Sequence, residues 1–270
     1  MAKYKKKRAR ELQHDKFRDA AGRIFDRVGD RLEGKGKAII YGLGLLIVVL
    51  IIVGFGVSLH RKHTNEALQA LGRGIEIMGK PLASEPGAEP KTPSFASQQE
   101  RAQKAIEEFQ KVAAKYGDPY KTEARYFIAT NLLSIDRDKA VNELAEVSKA
   151  SEAEPATLAK FALAQTKEAD GKYDEAAKLY SELAALNSVV VTPETANLGL
   201  ASVYEKQGKK KEAADLLFNI VDASRKIRDT DGTPIPASAA AREATTKLQK
   251  LDPERYAKLT PETPRGEIPF

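Results

Sequence analysis

The residues that could bind a metal or perform acid–base catalysis are few and scattered. His60 and His63 could share a metal ion, but no acidic cluster beside them completes a ligand set. Glu107 and Glu108 belong to a charged helix, where solvated carboxylates are the ordinary interpretation. The absence of cysteine excludes disulfides, thiolate zinc sites and cysteine nucleophiles. Common phosphate, zinc, hydrolase and calcium motifs are also missing, so we expect no enzyme activity, no metal and no cofactor.

The composition predicts the fold class, and the charge distribution limits the possible partners. Aromatic residues are 7% of the 270, tryptophan is absent, and Ala, Glu, Lys and Leu dominate, which predicts an all-α protein. The net charge of +6 belongs to one end, because residues 1–37 hold 13 Lys and Arg against 6 Asp and Glu. The larger remainder is close to neutral, so we expect no binding of nucleic acid there and no small-molecule substrate.

Residues 38–59 form an uncharged, apolar stretch of 22 residues, and about 20 such residues suffice to cross a bilayer core of roughly 30 Å. A buried core helix is the alternative, but basic residues flank the stretch on both sides. A cleaved signal peptide fits less well, because His60 to His63 stand where a small-residue cleavage site would follow. The sequence therefore predicts one uncleaved transmembrane helix.

The charges around this span predict its orientation. Six Lys and Arg lie in the 20 residues before Ala38, whereas Arg61, Lys62 and Arg73 follow the span. Basic residues are retained on the cytoplasmic side, so the N-terminus is expected in the cytoplasm. For a bacterium, this places residues 60–270 in the periplasm and makes the chain a single-pass protein of the inner membrane.

The basic lead, residues 1–37, contains apolar residues at helical spacing with cations on other faces, which predicts a basic amphipathic helix. Each cation near an anionic leaflet contributes about 1 kcal/mol of attraction. Docking on an acidic partner such as ribosomal RNA is the alternative. The cations predicted to contact the membrane surface are Lys16, Arg23, Arg27 and Arg31.

An alanine followed by large residues four and seven positions later recurs at intervals of 35, 36 and 37 residues. Offsets of 0, 4 and 7 share one helical face, and the small residue allows a neighbouring helix to approach closely. Each series is predicted to be the second helix of a pair. The series are Ala105/Phe109/Val112, Ala140/Leu144/Val147, Ala176/Tyr180/Leu183 and Ala213/Leu217/Ile220.

Two of these units carry further signals. Gly171 and Gly208 each stand five residues before the series alanine, and Ala164 and Ala201 stand twelve residues before it. Helix-turn-helix units of about 34 residues with these features resemble tetratricopeptide repeats (TPRs). The consensus tryptophan is absent, and the unit of Ala140 has isoleucines in place of the first-helix alanine and the turn glycine. An irregular α-bundle with chance alanine spacing is the alternative.

Proline-rich stretches set the predicted boundaries. Residues 60–79 are expected to be a helix leaving the membrane, 80–97 a flexible proline-rich insertion, 98–251 a TPR-like solenoid of about four helix pairs, and 252–270 a loose proline-rich tail. The last helix would cap the solenoid. The predicted helices of the repeat domain are 98–116, 120–134, 137–150, 154–170, 173–186, 193–207, 210–226 and 238–251.

First helices of such pairs line a binding groove for peptides. Counting back 15, 11 and 8 residues from the alanines selects three positions in each of three first helices. This offset also selects the apolar Ala129, Leu132 and Leu198. The predicted partner-binding residues are Arg125, Phe161, Gln165, Glu168, Ser202 and Glu205.

The order of basic lead, uncleaved span and helical repeats resembles the YfgM-like membrane-anchored tetratricopeptide proteins of the bacterial envelope. The resemblance implies a non-enzymatic role beside the Sec translocon, with translocon components and periplasmic chaperones as partners. A scaffold for pilus, secretion or division machinery is the alternative function. An enzyme or sensor with an unrecognised site is a third hypothesis, disfavoured by the missing motifs.

Overall fold

The computed structural model describes residues 62–83 and 94–260, and within these ranges the regular secondary structure is α-helical, as predicted. The predicted transmembrane segment, the basic lead with Lys16, Arg23, Arg27 and Arg31, and the end of the tail lie outside the described residues. No helix in the described ranges combines the length and apolarity needed to span a membrane. The span at residues 38–59 therefore remains a prediction.

Ten helices occupy the described ranges, and the observed ends of the eight predicted repeat helices lie within three residues of the expected ones. They are α1 (62–78), α2 (Gln98–Lys115), α3 (Tyr120–Leu132), α4 (Arg137–Val147), α5 (Ala153–Ala169), α6 (Tyr173–Ala185), α7 (Pro193–Lys206), α8 (Lys210–Lys226), α9 (Ala239–Leu251) and α10 (Pro253–Tyr256).

Local sequence determines where these helices begin. The side chains of Ser97, Asp136, Thr192 and Ser238 accept hydrogen bonds from backbone amides in the first turns of α2, α4, α7 and α9. Such caps satisfy amides that lack an intrahelical partner and typically contribute about 1 kcal/mol each.

The helices form four consecutive pairs, α1/α2, α3/α4, α5/α6 and α7/α8, followed by α9. Each first helix from α3 onward contacts the preceding second helix, its own second helix and the next first helix. The second helices α4, α6 and α8 do not contact one another. The described repeats therefore form a solenoid in which neighbouring first helices lie side by side.

The four alanine series lie in the core between the helices, as predicted. Ala105, Ala140, Ala176 and Ala213 are all 0% exposed. The residues four positions later are equally enclosed, since each is at most 2% exposed. Close contact through the alanines allows these larger side chains to fill the space between helices.

Helix α1 is the first helix of the first pair, whereas the sequence analysis placed residues 60–79 outside the repeat domain. Ala67, Ala70 and Leu71 are buried in one cluster with Phe109 of α2. A Cβ atom at Gly74 would lie 2.5 Å from the Phe109 ring, so only glycine allows this approach. The insertion at residues 80–97 makes the connection between α1 and α2 much longer than a repeat turn, so sequence spacing did not reveal this pair.

The described ends of that insertion are paired. The amide of Phe95 donates to the Pro81 carbonyl at 3.2 Å, and the amide of Ala83 donates to the Phe95 carbonyl at 2.9 Å. The Arg101 guanidinium also donates to the Lys80 carbonyl at 2.8 Å. These bonds bring residues 80–83 and 94–97 together beside the start of α2.

The predicted loose tail begins later than Asp252. Residues Pro253–Tyr256 form α10, and Leu259 is 6% exposed within the cluster that also contains Ala244 and Leu248 of α9. The carboxylate of Asp252 caps this helix by accepting from the Arg255 amide at 2.9 Å. Pro253 stands at the start of α10, where proline is well tolerated, and Leu259 packs in the same apolar cluster as α9.

Candidate partner-binding face

Burial patterns give the register of the first helices relative to one another. Thr122, Ala124 and Ala129 of α3 are buried, and the residues 35 positions later in α5, Thr157, Ala159 and Ala164, are buried in the same way. Helix α7 repeats α5 with an offset of 37, which relates Ala159, Leu163 and Ala164 to Ala196, Leu200 and Ala201.

This register corrects the selection made in α3. Ala129 lies eleven residues before Ala140, whereas Ala164 lies twelve before Ala176. The structural equivalent of Phe161 is therefore Tyr126 and not Arg125. Counting back 15 residues from Ala140 therefore goes one residue too far in this unit.

The turn between the two helices explains the difference. Gly171 has a φ of 73°, and the amide of Lys172 donates across the end of α5 to the Lys167 carbonyl at 2.9 Å. Glycine adopts this left-handed conformation without steric cost. The α3–α4 connection has no glycine, and the amide of Asp136 donates to the Leu132 carbonyl at 2.7 Å. The chain from Ala129 to Ala140 is one residue shorter than the chain from Ala164 to Ala176.

Arg125 instead pairs with the second helix of its own unit. Its Nε lies 2.6 Å from the Glu143 carboxylate on α4. The hydrogen bond to Glu143 raises the pKa of Arg125, against the effect of burial. Lys160, the equivalent residue of α5, pairs with Glu182 on α6 at 2.9 Å. These pairs connect the helices of a unit.

The register aligns two rows of side chains across α3, α5 and α7, which we call the first-helix face. The apolar row is Tyr126, Phe161 and Leu198, all partly exposed. One turn further along each helix, the polar row is Thr130, Gln165 and Ser202.

Phe161 and Gln165 differ in how firmly the fold holds them. The Phe161 ring contacts the buried Tyr180 ring edge to face, with centroids 6.0 Å apart. The Gln165 side chain is exposed, and its amide forms no hydrogen bond with any described residue. The face therefore presents a fixed aromatic side chain next to an amide that is free to donate and accept.

Glu168, another predicted binding residue, joins three helices. Its side chain is 13% exposed and accepts hydrogen bonds from Tyr180 Oη of α6 at 2.9 Å, Ser202 Oγ of α7 at 2.8 Å and Lys206 Nζ of α7 at 2.9 Å. Glu168 and Ser202 thus connect α5 to α7 and are already bonded within the fold.

This network stabilises the ionised form of Glu168. Burial favours the neutral carboxyl, but the hydrogen bonds from Lys206, Ser202 and Tyr180 outweigh that effect and lower the pKa of Glu168. Burial, reinforced by the charge of Glu168, raises the pKa of Tyr180, so its hydroxyl stays protonated as the donor.

Glu205 occupies the same position in α7 and pairs with Lys247 of α9 at 3.2 Å. A carboxylate of one first helix thus bonds a lysine of the next at two successive junctions. Leu133 stands at this position in α3, so the α3–α5 junction has no such pair.

A different arrangement occurs near the N-terminal ends of α3 and α5. Burial raises the pKa of Glu123 on α3, and the like charge of Glu154 on α5 raises it further. Neither carboxylate forms a salt bridge with a described residue. Sequence analysis missed this pair, because it depends on the packing of α5 beside α3, and the two residues are 31 positions apart in the sequence.

One cavity, of about 560 Å³, lies among α1, α2 and α3 and is lined by residues that include Met78, Arg101 and Asn131. Within the described ranges, no three His, Asp or Glu side chains are placed together to hold a metal ion. The first-helix face thus remains the region where the structure gathers predicted binding residues.

Comparison with known proteins finds solved repeat structures that are similar to this chain. No model of a known protein family matches the chain, and no curated protein matches it. Similar solved structures include nearly identical TPR-like repeats of a protein described as a kinesin light chain from Podosopora anserina. That structure shares 19% identity with a TM-score of 0.43, covering 57% of this chain and 79% of its own. A variant of the same protein gives a TM-score of 0.44 at the same identity and coverage.

Proposed function

We propose that this chain is a non-enzymatic adaptor that binds proteins or peptides on the first-helix face. The observation that carries the proposal is the aligned pair of rows across α3, α5 and α7, whose side chains remain partly or fully exposed. Phe161 offers apolar contact area, and Gln165 offers an amide for hydrogen bonds to a peptide backbone. Missing catalytic motifs favour binding over catalysis.

Membrane attachment completes the proposed function. The apolar residues 38–59 would anchor the chain in the bacterial inner membrane, with the basic lead in the cytoplasm and the repeats in the periplasm. Anchoring confines adaptor and partner to one surface and raises their effective concentration. We place the adaptor near the Sec translocon, assisting export or folding with periplasmic chaperones, as the YfgM-like resemblance implies. A scaffold for pilus, secretion or division machinery is the alternative.

Photo-cross-linking tests the binding face. A benzophenone amino acid replaces Gln165 of the first-helix face in the full-length chain, and in a matched variant it replaces the exposed Lys178 of second helix α6. Irradiation of intact membranes should give adducts of higher mass only, or mainly, from position 165. Equal adducts from both positions, or adducts from position 178 alone, would contradict the proposed face.

The adducts also separate the two envelope roles. Translocon subunits, exported chains or periplasmic chaperones in the adducts from position 165 support the export role. Recovery of pilus, secretion or division components supports the scaffold instead.

The predicted topology has its own test. A reporter active only in the periplasm should function when fused after Phe270 and fail when fused before Met1. The reverse pattern would contradict the orientation that the flanking charges predict.

A further inference from the structure

Exposed large apolar side chains are concentrated in two connections between repeat units. Among the described residues eight such side chains are exposed, and five of them belong to the α6–α7 or the α8–α9 connection. The five residues are Leu186, Val189, Val190, Ile227 and Ile235, of which Val189 is the most exposed at 86%. Exposed apolar groups gathered in this way typically mark a surface that binds another protein or a membrane.

Both connections lie on one edge of the solenoid. Helices joined by short connections run in opposite directions, so the connections between units lie where the first helices begin. The Thr122 hydroxyl at the start of α3 donates to the Glu152 carboxylate, just before α5, at 3.2 Å. Ser238, just before α9, donates to Glu194 at the start of α7 at 2.5 Å. We call this edge the loop edge, and its connections are residues 116–119, 148–152, 186–192 and 227–238.

Helix α1 also begins at the loop edge. Glu66 pairs with Lys115 near the end of α2 at 3.2 Å, and Arg73 pairs with Glu108 at 3.6 Å, so α1 and α2 are antiparallel. The predicted transmembrane segment ends at residue 59, three positions before α1 begins. Three residues extend over about 10 Å at most. In a membrane-anchored chain, this short connection keeps the start of α1, and with it this end of the loop edge, close to the bilayer.

The side chains of the two apolar connections suit a bilayer interface. The α6–α7 connection, residues 186–192, contains no charged residue. In the α8–α9 connection, the exposed Ile227 stands between the exposed cations Lys226 and Arg228. Aliphatic side chains enter the boundary between headgroups and acyl chains, while neighbouring lysine and arginine side chains keep their charges among the headgroups.

The backbone of the α8–α9 connection is hydrogen-bonded within the loop. The amide of Ile235 donates to the Ile227 carbonyl at 3.2 Å, and the amide of Asp229 donates to the Thr233 carbonyl at 2.9 Å. The Asp229 carboxylate accepts from the amides of Asp231 and Thr233 at 2.9 and 2.8 Å. Polar groups that are already paired lose less on leaving water, so the loop presents its two isoleucines to apolar surroundings at a lower cost.

We infer that the loop edge binds the surface of the lipid bilayer through its α6–α7 and α8–α9 connections. The side chains of Val189, Ile227 and Ile235 enter the boundary between headgroups and acyl chains. The charged side chains, the acidic Asp231 included, stay among the hydrated headgroups. This inference rests on the membrane attachment in the proposed function, to which it adds a second contact. The first helices then begin at the bilayer, which places the first-helix face beside the membrane surface.

A single fluorophore tests this contact, because the chain has no cysteine of its own. Val189→Cys carries the fluorophore NBD in the full-length chain, reconstituted into vesicles of phosphatidylethanolamine and phosphatidylglycerol. The matched variant is Ile135→Cys, at an exposed aliphatic position in the α3–α4 turn of the opposite edge. The fluorophore at position 189 should emit at shorter wavelength and be quenched by lipids with brominated acyl chains. The fluorophore at position 135 should show neither change.

Variants elsewhere in the chain assign the quenching to the loop edge. Ile227→Ser combined with Ile235→Ser removes two exposed aliphatic side chains from the neighbouring connection and should reduce the quenching at position 189. The control combines Leu68→Ser with Ile75→Ser, which removes two similarly exposed side chains from α1 and should leave the quenching unchanged. Circular dichroism should show the same melting temperature for both double variants.

Three results would overturn the inference. Equal quenching at positions 189 and 135 would show that neither edge prefers the bilayer. A shift to shorter wavelength at position 189 without quenching would mean that a protein, such as a second copy of the chain, covers the loop edge. Undiminished quenching in the double variant of Ile227 and Ile235 would contradict a contact through the α8–α9 connection.

Vesicle flotation and alkaline extraction separate this inference from the proposed function. If the chain floats with the vesicles and resists alkaline extraction while position 189 is not quenched, the loop-edge contact fails and the membrane anchor stands. If the chain does not float, the proposed membrane attachment fails together with this inference. Adducts from position 165 test the first-helix face in either case.

Discussion

Glu168, where α5 meets α7, accepts three hydrogen bonds from the chain, whereas Glu123, where α3 meets α5, faces the like charge of Glu154. Both carboxylates lie at junctions between first helices. Their pKa values are shifted in opposite directions, downward for Glu168 and upward for Glu123.

This difference separates two roles of polar residues in one repeat array. At the α5–α7 junction the donors are supplied by Tyr180, Ser202 and Lys206, so the carboxylate stabilises the fold. At the α3–α5 junction neither Glu123 nor Glu154 forms a salt bridge with a described residue, and the like charge of Glu154 raises the pKa of Glu123. A local conflict that the fold does not resolve is a reasonable place to expect function.

The largest effect on stability should come from removing a buried aromatic ring. Tyr180→Ala in the third unit and Phe109→Ala in the first each remove a ring that is at most 2% exposed. Each should lower the free energy of unfolding by about 3–5 kcal/mol in urea titrations. Tyr180→Ala should cost more, because it also removes a hydrogen bond to Glu168.

Phe161→Ala serves as the control for this pair, because its ring is only partly buried. It should destabilise the fold clearly less than Tyr180→Ala. A loss as large as that of Tyr180→Ala would show that Phe161 belongs to the core rather than to a binding face.

The second effect concerns the glycines that face these rings. A Cβ atom at Gly199 would lie 2.5 Å from Tyr180, as one at Gly74 would from Phe109. Gly199→Ala and Gly74→Ala should each lower the free energy of unfolding by about 1–3 kcal/mol, because the rings cannot withdraw from a packed core. Gly72 of α1 has open space around it, so Gly72→Ala should stabilise by up to about 1 kcal/mol. The same sign at all three positions would contradict the packing described for α1 and α7.

Sequence periodicity predicted most of the fold. The alanine series identified the second helices because a buried helix contact requires a small residue at fixed spacing, and Ala105, Ala140, Ala176 and Ala213 are all enclosed. Helix α1 escaped this reasoning. Its contacts with α2 span the insertion, and its role depends on Gly74 meeting Phe109, which no spacing rule reveals.

The candidate site was predictable only where the turn matched the repeat pattern. Phe161 and Gln165 belong to the α5/α6 unit, whose turn contains Gly171, and lie on the first-helix face. Arg125 was selected in place of Tyr126, since the chain from Ala129 to Ala140 is one residue shorter than the equivalent chain from Ala164 to Ala176. Interactions between charges far apart in the sequence, such as Glu123 with Glu154, have no signature in the local sequence.

The third effect is the contribution of the bonded carboxylate. Glu168→Gln keeps the shape but removes the charge that accepts from Lys206 and Ser202, and should lower the free energy of unfolding by about 1 kcal/mol at pH 7 after allowance for solvent screening. Because the pKa of Glu168 is lowered on folding, its stabilisation is present above the unfolded value of 4.5 and is lost as pH falls through the folded value. Urea titrations from pH 7 to pH 3 should therefore show the two proteins converging. A constant difference across that range would mean that the charge is not what stabilises the α5–α7 junction.

The smallest effect, with the opposite sign, is expected at the α3–α5 junction. The pKa of Glu123 is raised by burial and by Glu154, so the ionised carboxylate destabilises the fold at neutral pH. The contribution of Glu123 to the free energy of unfolding is most favourable below the unfolded pKa of 4.5 and is lost as pH rises through the folded pKa. Glu123→Gln should therefore raise the free energy of unfolding by about 0.5 kcal/mol at pH 7 and change little at pH 4. Glu243→Gln removes an exposed charge on α9 beyond its first turn and should leave stability within experimental error at both pH values. If Glu123→Gln instead destabilised the chain at pH 7, the ionised carboxylate would stabilise the fold, contrary to the effect expected from burial and from the like charge of Glu154.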